Sequence, residues 1–214
     1  MRISVAIDGP AGAGKSTIAK LIADRFSLMY INTGSMYRAV TLKALEKGIS
    51  PNDTEGVCTI IENLNMHFNN DRLILNGEDV NDLITVPEIS HNVSAYASIK
   101  EVREKLVKLM QQMAKEYDVI MDGRDIGTVV LKNAPFKFFL TASPKERASR
   151  RYNELTSKGL DVVYEEILKD IIRRDDLDTN REVDPLRKAD DAIEIDTTGI
   201  GIDEVVNKIA SFIK

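Results

Sequence analysis

The sequence predicts an α/β fold in which a central parallel sheet is flanked by helices on both faces. Three observations carry this. A short apolar run, Ile3 to Ile7, leads into a glycine-rich turn and then into apolar residues at helical spacing. Further short apolar runs alternate with helical stretches to the end of the chain, as strands buried on both sides require. No repeat, low-complexity tract or flexible linker interrupts the 214 residues, so residues 1–214 read as one domain.

Taken in order, Ile3 to Ile7 is a parallel strand and Lys15 to Arg25 a helix with Ile18, Leu21 and Ile22 on its apolar face. Met29 to Ile31 reads as a second strand. Met36 to Lys47 reads as a helix closed by Gly48, and Pro51 marks a break. The pattern then changes from about residue 52 to 92. After a helix over Thr54 to Leu64, three short apolar runs around Phe68, Leu73 to Leu75 and Val80 are divided by Asn-rich turns. They predict a small β-meander, inserted between core elements. Pro87 to Met113 is helical with a break near Ser98. Val119 to Met121 is a strand ending at Asp122, and Phe136 to Leu140 another. Ser143-Pro144 supplies an N-cap and a first-turn proline for the next helix. Val163 to Asn180 forms a charged helix, Ala192 to Ile195 a late strand, and Asp203 to Ile213 a terminal amphipathic helix.

Composition excludes several classes of function. No apolar run approaches the roughly 18 residues of a membrane span, so no membrane partner is expected. The N-terminus enters a strand-like segment directly, which predicts no signal peptide. A single cysteine, Cys58, rules out an internal disulfide and suits a cytoplasmic protein, with the thiol read as a small packed side chain. The net charge of −5 argues against nucleic-acid binding. Yet seven of 13 arginines fall between Arg147 and Arg187, and that local concentration suits a small polyanion. His67 and His91 lack partners at metal-ligand spacing and are read as structural or surface residues.

Gly9-Pro10-Ala11-Gly12-Ala13-Gly14-Lys15-Ser16 matches GxxxxGK[ST] in full, between a strand and a helix. Such a loop turns successive backbone N–H groups toward phosphate oxygens, and the helix N-terminus adds partial positive charge. Lys15 is expected to reach the β- and γ-phosphates of ATP, and Ser16 to place its hydroxyl on Mg²⁺. Thr17 completes the ATP-binding set. Asp122 stands where a carboxylate reaches magnesium through water, and Asp8 is equally open as a structural partner nearby.

The base-reading NKxD of a GTPase is missing: Asn207-Lys208-Ile209-Ala210 lacks the Asp, and Asp196-Thr197-Thr198-Gly199 lies too late to be a switch. Small kinases remain. Ile7 to Thr17, Thr33-Gly34-Ser35-Met36-Tyr37-Arg38, Asp122-Gly123-Arg124-Asp125-Ile126-Gly127-Thr128-Val129-Val130, and Arg174-Asp175-Asp176 with Asp178, Asn180 and Arg181 together resemble the bacterial cytidylate kinase family over essentially the whole chain. Asn32 and Ser35 depart from it, standing where Asp and Ala are usual.

The resemblance implies a P-loop kinase fold with an acceptor-side insertion at about 52–92 and an arginine-rich helical lid at about 147–187. It implies ATP with Mg²⁺ as donor, CMP or dCMP as acceptor, and a place in pyrimidine metabolism. Arg38 follows a strand and suits the acceptor phosphate, being bidentate and always charged. By resemblance Arg124 grips phosphate while Asp125, with Arg103 and Ser94, reads the base. Thr33 and Tyr37 join the acceptor site in the same way. A carboxylate accepting from an exocyclic amine selects cytosine over uracil, whose carbonyl would face it. Arg147, Arg150 and Arg151 share one helical face, and Arg174, Asp178 and Arg181 another. These stripes suggest a lid over triphosphate, with Lys15, Arg124, Arg150 and Arg151 as catalytic residues; the family uses the second stripe on the acceptor's sugar and phosphate. The chain is expected to act as a monomer. Kinases of shikimate, dephospho-coenzyme A or thymidylate, and a non-catalytic nucleotide switch, remain as rival readings.

Overall fold

The computed structural model describes residues 2–213. Its core is a five-stranded, wholly parallel sheet built from β1 (Ser4–Asp8), β2 (Met29–Asn32), β6 (Val119–Gly123), β7 (Phe136–Thr141) and β8 (Ile193–Asp196). The spatial order is β2-β6-β1-β7-β8, and β1 lies at the centre. Side chains alternate across the strands, and the two apolar surfaces are distinct. Ala6, Val119 and Met121 face one cluster; Val5, Ile7 and Ile120 face the other.

The second surface is covered by α1 (Lys15–Phe26) and α8 (Ile202–Ala210) through Ile18, Ile22, Val205 and Ile209. The first is covered by α2 (Thr33–Glu46), α3 (Thr54–Glu62), α4 (Pro87–Ala97) and α5 (Lys100–Glu116). A separate antiparallel sheet, β3 (Met66–Asn69), β4 (Arg72–Leu75) and β5 (Glu78–Asp79), packs its buried Met66, Phe68, Leu73 and Leu75 into the same surface. The remaining helices, α6 (Pro144–Ser157) and α7 (Tyr164–Asn180), lie against each other.

Most boundaries follow local chemistry. Ser143 caps α6 by accepting from the Glu146 amide at 3.2 Å, with Pro144 in the first turn. The break at Ser98 separates α4 from α5 as expected. Two expectations are corrected. Helix α2 starts at Thr33 rather than Met36, because Asn32 acts as its N-cap and accepts from the Ser35 amide at 3.0 Å. Arg38 therefore stands in the second turn, not the first. Residues Ile126–Val130, left without an assignment in the sequence, form a short π-helical turn. Its opening amides, those of Ile126 and Gly127, both donate to the Asp8 carboxylate at 2.7 Å. No described helix is long and apolar enough to cross a membrane.

Candidate active site

The carboxyl ends of parallel strands form the crevice where such folds bind ligands. Here β1 ends at Asp8, β2 at Asn32 and β6 at Gly123, so the glycine loop, the start of α2 and the Asp122–Asp125 segment converge.

The loop is fixed by contacts that glycine permits. Gly9 has φ 145° and its α-carbon lies against β7, where an added Cβ would sit 2.0 Å from the Leu140 carbonyl oxygen. Gly14 has φ 86° and leads into α1. Lys15 is 6% exposed, and its ammonium donates to the Pro10 carbonyl at 2.7 Å, arching back over the loop. Burial, then the neighbouring Arg124, pushes its pKa well down, so the lysine stands in a field that an anion would relieve.

Ser16 Oγ donates to Asp122 at 2.9 Å, and Tyr30 donates its hydroxyl to the other oxygen of that carboxylate at 2.8 Å. Asn32 Nδ2 reaches the Tyr30 hydroxyl at 3.0 Å, and Thr33 Oγ1 donates to the Asp122 carbonyl at 2.7 Å. A serine hydroxyl beside a buried carboxylate is a hard-oxygen pair that fits Mg²⁺. Asp8 plays a different part. Its carboxylate is spent on the Ile126 and Gly127 amides, so it holds the π-helical turn in place behind the site. Burial pushes its pKa up to about 6 even though both amides favour the charge.

Opposite the loop lie the arginines. Arg124 donates to Asp178 of α7 at 2.7 Å. Arg38 and Arg174 have buried Nε atoms with no acceptor among the described residues. Burial, then Arg174 and Arg124, brings the pKa of Arg38 down to about 10; burial and Arg124 lower that of Arg174. Three guanidiniums thus lie within one another's fields, and of the three Arg124 is the one paired with Asp178. Arg151 adds to the positive field at Arg38 and is itself paired with Glu154 at 2.8 Å.

A second cluster sits deeper. Arg103, 1% exposed, donates to Asp125 through Nη2, to Asp184 through Nε at 3.0 Å and to the Ala97 carbonyl at 3.2 Å. Arg181 donates to the other oxygen of Asp125 at 3.2 Å. The Tyr37 ring lies under Arg103, 5.4 Å from centroid to guanidinium carbon, and its buried hydroxyl has no partner among the described residues. Ser94 and Arg181 reach the wall of a cleft of about 810 Å³ between α4 and α7.

The structure therefore brings Lys15, Ser16, Asp122, Arg38, Arg124, Arg174 and Asp178 to one crevice, with Arg103, Asp125, Tyr37 and Arg181 beside it. The arginines of α6 diverge. Arg147 is buried and braced by the Ala142 and Ala11 carbonyls and by Asp175, so it supports the glycine loop instead of offering a free guanidinium. Arg150 is held by Glu146 at 3.1 Å and by Thr197, whose hydroxyl donates to the Thr141 carbonyl at 3.0 Å. Sequence reasoning missed Tyr30, Asp184 and Thr197, and named Asp175 only within a motif, without a role. A polar Asp196-Thr197-Thr198 turn directly after a strand was the one available signal, for Thr197.

The comparisons with known proteins agree with this geometry. The family model described as cytidylate kinase matches residues 5–214. A cytidylate kinase of Clostridium perfringens is 71% identical over 212 residues, covering 99% of this chain and 98% of that protein. One from Clostridium acetobutylicum is 63% identical, covering 100% and 98%. Among solved structures, an uncharacterized protein from Eubacterium ventriosum shares the fold with TM-score 0.55 at 13% identity, covering 100% of this chain and 98% of that one. With a matching glycine loop, an arginine-lined crevice and such identity along its whole length, the chain belongs to the cytidylate kinase family.

Proposed function

We propose that this protein transfers the γ-phosphoryl group of ATP to CMP or dCMP, yielding ADP and the pyrimidine diphosphate. The single observation that carries the acceptor side is the crowding of Arg38, Arg124 and Arg174, two of them with buried nitrogens that have no acceptor among the described residues. Cations are not gathered at such cost without an anion to receive, and a nucleotide phosphate supplies that anion.

The donor phosphates lie along the loop Gly9-Pro10-Ala11-Gly12-Ala13-Gly14, whose N–H groups, all but that of Pro10, can donate to them, with Lys15 on the β- and γ-oxygens and Thr17 in the first turn of α1. Mg²⁺ belongs with Ser16 and Asp122, where it neutralises charge on the triphosphate. The acceptor phosphate oxygen is ionised near neutral pH and needs no general base. The arginine-rich set around Arg38, Arg124 and Arg174 is consistent with that. Catalysis is then alignment and charge stabilisation by Lys15, Arg124, Arg150 and Arg151. Asp125 receives the cytosine amino group, flanked by Arg103 and Ser94, with Thr33, Tyr37, Asp178 and Arg181 enclosing sugar and base. Residues 52–92 form the acceptor-side insertion and residues 147–187 the lid. The protein works as a cytoplasmic monomer.

A panel of acceptors with ATP, followed by ADP release, tests this reading. Fast turnover is expected with CMP or dCMP and slow turnover with UMP, shikimate or no acceptor. ADP release independent of acceptor, or equal rates with a hydroxyl acceptor, would overturn it.

A further inference from the structure

Asp184 has φ 49°, a left-handed conformation that side chains other than Gly, Asn and Asp adopt at a cost. This conformation directs both polar ends of the residue to the guanidiniums around Asp125. Its carboxylate accepts from Arg103 Nε at 3.0 Å. Its carbonyl accepts from Arg181 Nε at 2.6 Å and from Nη2 of the same arginine. Arg103 and Arg181 each donate in turn to a separate oxygen of Asp125. Two cations with Asp125 alone would compete for its lone pairs and leave an unbalanced charge at a buried position. The second carboxylate balances that charge and holds Arg103 through a different nitrogen from the one on Asp125.

We propose that Asp184 is a positioning residue for base selection. By anchoring Arg103 and Arg181 it keeps lone pairs of Asp125 free to accept from the exocyclic amine of an aminopyrimidine. This assignment rests on the functional reading above, in which Asp125 faces the base.

The test is steady-state kinetics of the wild type, D184N and D184G with CMP, UMP and ATP. Asn tolerates the left-handed backbone but is neutral; Gly removes the side chain, keeps the carbonyl and relieves the strain, so it serves if D184N misfolds. In both variants KM for CMP should rise about 10-fold, as for one lost charge-assisted hydrogen bond. The CMP-to-UMP ratio of kcat/KM should fall by a similar factor, while KM for ATP stays unchanged. An unaltered CMP-to-UMP ratio in a folded variant, or KM values for ATP and CMP rising together, would overturn the assignment. If the wild type itself shows no preference for CMP, the functional reading fails and this assignment with it. A wild type that prefers CMP beside unaltered variants overturns this assignment alone.

Discussion

Arg124 Nε donates to Asp178 Oδ2 at 2.7 Å, tying the segment after β6 to the inner face of α7. The bond joins residues 54 apart in sequence and orients a guanidinium whose Nη1 makes only a long contact of 3.4 Å to the Gly123 carbonyl. Burial opposes the charge of Arg124, but Asp178 with Asp122 and Asp175 together raise its pKa above the ordinary value, so the arginine is held protonated.

Replacing that cation should therefore cost turnover more than fold. Arg124→Ala is expected to lower kcat about 10²–10³-fold, the range for one lost transition-state donor. Coupled ADP release with saturating CMP measures it. A variant with near-normal kcat would remove Arg124 from the chemistry.

Arg38 predicts a trade between stability and function. Its charge sits among Arg174 and Arg124, and its buried Nε has no acceptor among the described residues. Arg38→Met keeps much of the volume and removes the repulsion. Unliganded, it should gain about 1 kcal/mol in stability by urea titration, while CMP-dependent turnover collapses. CMP should raise the melting temperature of the wild type and leave that of the variant unmoved. Loss of stability in the variant would count against an anion site.

Asp8 makes a pH-dependent contribution whose sign is fixed by its burial. Its folded pKa, about 6, lies above the ordinary 3.8, so the fold favours the protonated form. That stabilisation is fully present below pH 3.8 and is lost as pH rises through about 6. Asp8→Asn cannot titrate, and it satisfies only one of the two amides. Its stability relative to wild type should improve by about 3 kcal/mol between acid and neutral pH. Urea titrations at several pH values check this, and a constant difference would contradict it.

Two glycines of the phosphate loop should respond unequally to the same change. At Gly9 an added Cβ meets backbone at 2.0 Å, whereas at Gly14 the nearest atom is the tip of Arg150 at 4.0 Å. Gly9→Ala should cost roughly 3 kcal/mol or more, or prevent folding. Gly14→Ala should cost about 1–2 kcal/mol, the left-handed penalty alone. Equal losses in thermal unfolding would show that the Leu140 contact does not govern the loop.

Much of the fold was legible because its signals are local. The glycine loop, the Ser143 cap and the small β-meander split by Asn-rich turns each lie within a few residues, and each formed as read. Helix α2 was placed three residues late because Asn32 was weighed as a departure from a motif and not as a cap. The π-helical turn after Asp125 left no periodic trace, since the carboxylate that stabilises it comes from Asp8, 118 residues earlier.

By itself, the sequence determined where phosphate-binding amides lie and which residue types line the crevice, because backbone conformation and side-chain chemistry are written residue by residue. Only the tertiary structure decided how each arginine is used. Arg147 is consumed by two carbonyls and Asp175, Arg103 is shared between Asp125 and Asp184, and Arg38 keeps a nitrogen without a partner among the described residues. The physical reason is that a guanidinium's availability depends on which acceptors distant chain segments bring to it. Spacing along one helix cannot reveal those acceptors.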